Sequence, residues 1–116
     1  MKITFNYKNK KFSLEVKKCN LFEAIRGLMF RRRENAPALL LFDFKKLRKM
    51  KIHSCFVFFP FVALWLDDKN NVIEIRTVKP WEFYVLPEKK FRRLIEIPVN
   101  KKYSKLLNFS SVIRKV

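Results

Sequence analysis

The chain has 116 residues, 49% of them hydrophobic and 16% aromatic, and its 27 Lys and Arg against 10 Asp and Glu give a formal net charge of +17. That length and apolar content describe one folded, core-rich domain over residues 1–116. They exclude a disordered tail, a collagen-like chain, a disulfide scaffold and a membrane protein. The charge is one-sided, whereas a solvated surface normally mixes both signs.

In chain order, residues 2–7 and 11–16 alternate polar and apolar around Lys8-Asn9-Lys10, which predicts a β-hairpin. Asn20 and Glu23 stand in capping-box spacing before a short helix over Leu21 to Met29. Gly27 lies inside it, ending the helix or permitting close packing. Ala38 to Phe44 reads as a buried strand. Lys45 to Lys51 reads as a basic loop or turn. Ile52 to Phe59 and Phe61 to Asp67 read as strands joined or kinked at Pro60, with Asp68 to Asn71 a polar turn. Val72 to Val78, Pro80 to Leu86 and Phe91 to Ile97 complete the main strands. Lys101 to Leu107 reads as a short helix and Val112-Ile113 as a last short strand. Closely spaced strands predict a mainly β, antiparallel-rich, barrel-like α+β domain with two short helices.

Catalytic equipment is sparse. One glycine, Gly27, excludes the glycine-rich phosphate loops. The single His53 and the two cysteines, Cys19 and Cys55, fall short of the four ligands of a structural zinc site and form no C-x-x-C pair. Cys55 reads as a small buried hydrophobe and His53 as a hydrogen-bonded rim residue, so no catalytic residue, metal or cofactor is expected. After Lys2 the chain alternates instead of forming an apolar signal core. The apolar run Cys55 to Leu66 is far short of the ~20 residues of a spanning helix. A soluble, cytoplasmic protein with reduced thiols and no membrane contact is the expectation.

Ala24-Ile25-Arg26-Gly27-Leu28-Met29-Phe30-Arg31 resembles the "A-x-x-GLM-x-R" element of the DUF192 family, small domains of unknown function. Ala38 to Phe42 resembles its "M/L-L-F" strand, and Ile52 to Pro60 the archaeal form of its "W-M-K-N-T…P-L-D" stretch. Trp65-Leu66-Asp67 is similar to its "F-L-D". Val78-Lys79-Pro80-Trp81 and Leu94-Ile95-Glu96-Ile97-Pro98 are similar to its "L-x-P-W" and "V-I-E-L-P" pieces. The resemblance implies a compact β-rich, barrel-like fold and no established activity. The family's acidic residue two places after the motif proline is Val62 here. Its "P-A-G" is Pro98-Val99-Asn100, and its "G-D" falls on Ser110-Ser111. A polar ligand site around that acid would therefore be lost in this divergent, archaeal-type member.

The positive charge comes in clusters: Lys8, Lys10 and Lys11; Arg31, Arg32 and Arg33; Lys45, Lys46, Arg48, Lys49 and Lys51; Lys89, Lys90, Arg92 and Arg93; Lys101, Lys102 and Lys105, with Arg114 and Lys115 beyond. Each alone reads as a solvated loop. Together, with few acids beside them, they suit a polyanion, whose binding releases counterions. No helix-turn-helix, zinc finger, leucine zipper or RNP1 pattern is present. The leading expectation is a non-enzymatic RNA-binding protein, a small component or accessory of a ribonucleoprotein such as the ribosome, clamping structured RNA such as ribosomal RNA beside neighbouring proteins. The phenylalanines read mostly as core. Trp81, Phe83 and Tyr84 beside Lys79 are candidates for base stacking, with a packed strand start as the plainer reading. The alternative is a protein- or small-ligand-binding module without nucleic acid, marked by an open apolar pocket near Pro60 and Trp81. An enzyme would have to rest on His53 with Cys55 or Ser54.

Overall fold

A computed structural model describes residues 1–20, 23, 26–82 and 84–107. The chain opens with the expected hairpin, β1 (Lys2–Tyr7) against β2 (Lys10–Glu15) in antiparallel register. Lys8 and Asn9 form its turn with φ of 50° and 65°. Positive φ at both central positions is what a two-residue turn needs to match the twist of its strands. Alternation puts Ile3, Phe5 and Leu14 on the buried side, where Phe5 stacks on Phe12 at 5.6 Å.

The main sheet has five strands in the order β3-β4-β7-β5-β6. These are β3 (Lys17–Lys18), β4 (Leu39–Arg48), β5 (Phe61–Leu66), β6 (Val72–Val78) and β7 (Phe91–Pro98). β3 pairs parallel to β4 and every other pairing is antiparallel. All six residues of β5 are buried, which explains its unbroken apolar sequence. Val62, Leu64 and Leu66 pack with Ile95 and Ile97 under the hairpin and the C-terminal turn, while Phe61, Ala63 and Trp65 face the opposite way. Two cores therefore flank one sheet. The first is closed by regular structure: the hairpin, and Lys101–Tyr103 running into the helical turn Ser104–Leu107, expected from the sequence. The Tyr103 hydroxyl there accepts the Ala38 N–H at 2.7 Å. The second is closed by loops, from which Leu28, Ala36, Ile52, Val57, Phe59 and Val85 point inward.

The fold is β-rich, as expected, but its sheets do not close into a barrel. The hairpin is a separate two-stranded sheet that meets the main one at an Asn6–Asn71 bridge. Three other expectations need correction. Ile52 to Phe59 is a loop with one bridge, Ile52 to Val85, because Phe56 has left-handed φ (59°) and cannot continue a strand. Pro80 to Leu86 likewise, among its described residues, bridges only at Val85, Trp81 having φ of 63°, and Phe83 lies outside the described residues. The basic run after Phe44 is no loop at its start. β4 continues through it to Arg48, which pairs with Phe91 beyond an irregularity in register. The first helix keeps its reciprocal cap: Asn20 Oδ1 accepts the Glu23 N–H at 2.8 Å and Glu23 Oε1 accepts the Asn20 N–H at 3.3 Å. Gly27, at φ 54°, ends it before Met29. Leu21, Ala24, Ile25 and the expected strand at Val112-Ile113 lie outside the described residues.

Candidate nucleic-acid interface

The sheet sorts the basic clusters onto its two ends. Leu66 pairs with Arg93 and with Val72, and Asp43 pairs with Arg93. The end of β5, the starts of β6 and β7 and the distal half of β4 therefore share one end. Lys45, Lys46, Arg48 and Lys49 meet Lys89, Lys90, Arg92 and Arg93 there. The hairpin tip with Lys8, Lys10 and Lys11 joins them, because the Asn6 N–H donates to Asn70 O at 2.8 Å. Lys51 leads back over the loop-covered face, its ammonium 5.5 Å from the Tyr84 ring. Two members of this group serve the architecture. Arg92 Nε donates to Phe44 O at 2.9 Å, and Arg93 pairs with Asp43 at 3.0 Å and donates to Asn70 Oδ1 at 2.6 Å. The lysines of this group are exposed.

At the opposite end Arg33, last of the Arg31–Arg33 run, meets the segment that leads into Lys101, Lys102 and Lys105, while Arg31 Nε donates back to Gly27 O at 3.5 Å. Arg33 Nε donates to Val99 O at 2.7 Å, and Asn100 Nδ2 donates to Arg33 O at 2.8 Å. Arg114 and Lys115 lie outside the described residues.

Between Arg31 and Lys79 the loops build a feature that the sequence hides. Phe30, Phe56, Phe58 and Trp81 form one exposed aromatic patch, with Phe30 and Phe58 each 61% exposed and Trp81 42%. Phe56 stacks on Phe30 at 5.0 Å and meets Trp81 edge-on at 4.8 Å, and Phe58 meets Trp81 at 5.9 Å. Phe30 (φ 61°), Phe56 and Trp81 all hold left-handed backbone. Such conformations cost bulky L-residues about 1–3 kcal/mol each. Hydrogen bonds hold them: the Phe30 N–H donates to Phe56 O and the Trp81 N–H to Ser54 O, both at 3.0 Å. Fully buried Ser54 ties the two loops, its hydroxyl donating to Lys79 O and accepting the Glu82 N–H, both at 2.6 Å. The expectation that the phenylalanines are mostly core holds for Phe5, Phe59, Phe61 and Phe91, and Phe30, Phe56 and Phe58 are the exposed exceptions. Composition could not separate them, since burial depends on which loop residues turn outward.

The second feature missed from sequence is Glu96. It lies in β7 opposite Leu39 of β4 and Ala63 of β5, is 3% exposed, and faces the loop-covered core. Burial pushes its carboxyl up to about 8. Among the described residues its carboxyl has no hydrogen-bond or ion-pair partner. It lines a cavity of about 300 Å³ with Arg26, Leu28, Leu41, Lys51, His53 and Val57. The available signal was a lone acid inside the apolar run Leu94 to Pro98. His53 and Cys55 meet through the Cys55 backbone N–H, which donates to His53 Nδ1 at 3.2 Å. Burial also raises the Cys19 thiol. No three of His, Cys, Asp and Glu converge among the described residues, and no helix among them is long and apolar enough to cross a membrane.

Comparison with known proteins places this fold. A UPF0127 protein of Thermococcus kodakarensis is 29% identical over 79% of this chain and 59% of its own length. One of Thermococcus sibiricus is 28% identical over 67% of this chain and 50% of its own. One of Pyrococcus horikoshii is 30% identical over 76% of this chain and 75% of its own. The chain thus spans only about half to three-fifths of the first two relatives. Two crystal structures share the fold. A candidate transcription regulator of Sinorhizobium meliloti superposes with a TM-score of 0.71 at 18% identity, over 90% of this chain and 83% of that one. A Novosphingobium aromaticivorans protein of unknown function superposes at 0.69 and 13% identity, over 90% and 76%. The model of the DUF192 family, described as "Uncharacterized ACR", matches residues 2–105. On that match, which covers the hairpin, the five-stranded sheet and the loops over it, the chain belongs to the DUF192 family.

Proposed function

We propose that this chain binds RNA and catalyses no reaction, acting in the cytoplasm as a small component or accessory of a ribonucleoprotein such as the ribosome. The observation that carries this reading is the exposed ring patch of Phe30, Phe56, Phe58 and Trp81, flanked in sequence by Arg31, Arg32 and Lys79, on a chain of net charge +17. Exposed rings give bases a stacking surface worth about 1–3 kcal/mol per base, and Lys and Arg neutralise the phosphates between them. Strained backbone that turns aromatic rings toward solvent does not serve a core. The clusters at the two ends of the sheet add phosphate contacts that fix position without reading sequence.

Titrating a fluorescent single-stranded RNA with the protein, from low to high salt, tests this directly. Binding is expected at low salt, with the logarithm of affinity falling linearly with that of salt. Trp81→Ala and Phe58→Ala should each weaken it about 5- to 100-fold while heparin binding stays unchanged. Absence of binding at low salt overturns the reading. Equal loss of RNA and heparin binding would remove the stacking role. Sedimentation of the native protein with ribonucleoprotein particles at low salt, and its release at high salt, would support the assembly role. Ring-dependent capture by a protein free of nucleic acid would replace RNA with a protein partner.

A further inference from the structure

The cavity under the loops lies on the opposite side of the sheet from the hairpin and uses none of the four patch aromatics. Its floor holds Glu96, buried and without a partner among the described residues, and its walls include Leu28, Leu41 and Val57. Its volume of about 300 Å³ takes a small molecule. Arg26, Lys51 and His53, which also line it, are exposed and so stand toward its mouth.

These features narrow the ligand. An unpaired polar group in an apolar cavity is costly, so the ligand should satisfy the carboxyl. A cationic amine would do so but would have to enter past Arg26 and Lys51. A sugar would press hydroxyls against apolar walls that offer no partners. A flat heterocycle places apolar faces on those walls and a donor beside an acceptor along one edge. An anionic group at its other end would meet the basic mouth.

We propose that this cavity binds a mononucleotide, with the base edge hydrogen-bonded to the Glu96 carboxyl and the phosphate held by Arg26 and Lys51. The protonated carboxyl, with its O–H and its carbonyl side by side, complements a neighbouring acceptor and donor on the base. Burial keeps that form dominant until about pH 8. The inference stands apart from the RNA reading, since it concerns a different site and is tested at salt high enough to suppress non-specific phosphate contacts.

Calorimetric titration of the purified protein with the four nucleoside monophosphates, and with ribose 5-phosphate as the baseless control, tests it. At least one nucleotide should bind tenfold or more tightly than the control. Glu96→Leu should abolish that preference. Glu96→Gln keeps a donor and an acceptor in the same places and should retain binding. Above neutrality, wild-type affinity should fall as pH passes about 8, and that of the Gln variant should not. Among the described residues, Arg26, Lys51 and His53 are the other charged or titratable groups lining the cavity, and Cys19, within electrostatic reach of Glu96, is itself flanked by Glu23, Lys17 and Arg31. His53→Gln and Cys19→Ala should leave the profile in place. No nucleotide preferred over ribose 5-phosphate, or a Leu variant that binds like the wild type, overturns the proposal. So does a pH profile that survives in the Gln variant. Trp81→Ala should leave nucleotide binding unchanged, which separates this site from the RNA surface.

Discussion

Replacing Glu96 by Gln isolates what one buried carboxyl does to stability. In the unfolded chain this acid titrates near its ordinary 4.5, and in the fold burial raises it to about 8. Between those values the folded state keeps a proton that the unfolded state has released. Stability therefore falls as pH rises through this window: the contribution is intact below about 4.5 and lost above about 8. The shift corresponds to a penalty on the order of 5 kcal/mol once the group is ionised, a large part of a typical domain's total. Glutamine has nearly the same shape and cannot ionise. It shifts stability by a constant and removes this slope. Urea unfolding of both proteins from about pH 5 to 9 measures it, using the difference between the two curves so that titration elsewhere cancels. The difference should change by several kcal/mol across the window, in the direction that makes wild type relatively weaker at high pH. Parallel curves would refute the claim that Glu96 is buried without a partner among the described residues.

Three further outcomes follow from local geometry. Ser54→Ala removes the hydroxyl shared by Lys79 O and the Glu82 N–H and should cost about 1–3 kcal/mol. Near-ultraviolet dichroism should report the displaced Trp81, and an unchanged spectrum would deny Ser54 its hold on the patch. Gly27→Ala places a Cβ at φ 54° and should cost about 1–2 kcal/mol, read as a lower thermal midpoint; an unchanged midpoint would mean that the helix does not end there. Asn9→Gly, at φ 65° in the hairpin turn, should stabilise by about 0.5–1 kcal/mol in urea unfolding, and a loss would contradict the two-residue turn.

The strands were legible where their pattern has one cause. β1 and β2 alternate because one face of the hairpin is wet, and β5 is apolar throughout because both of its faces are covered. The Asn20–Glu23 cap was legible because it needs only local spacing. Ile52 to Phe59 has a strand's composition and is a loop, since the left-handed Phe56 is imposed by contacts with Phe30 and Trp81, distant in sequence. The extension of β4 through Lys45 and Lys46 is basic in sequence and is held from β7, by Arg48 pairing with Phe91 and by Arg92 bonding Phe44 O. Of the basic residues, sequence could find the clusters but not that Arg92 and Arg93 are engaged by Phe44, Asp43 and Asn70. The Glu96 cavity was invisible because it forms only when segments around residues 26, 41, 51 and 96 meet.

The unequal cover of the two faces explains where the candidate functions lie. Under the hairpin and the C-terminal turn, the core containing Phe5, Leu64 and Ile97 is closed by elements whose backbone is largely paired within regular structure. That cover leaves little freedom to present unusual groups. The other face is closed by loops, whose backbone must find individual partners, and one buried hydroxyl at Ser54 supplies several of them. Loops fastened at such points can hold Phe30, Phe56 and Trp81 in conformations that a strand forbids, and can leave a cavity above Glu96 that a packed hairpin would fill. Strained aromatics and a buried acid without a partner among the described residues both lower stability. Their confinement to the loop-covered face, while the opposite core is closed by regular structure, is what a rigid mount with one working face requires.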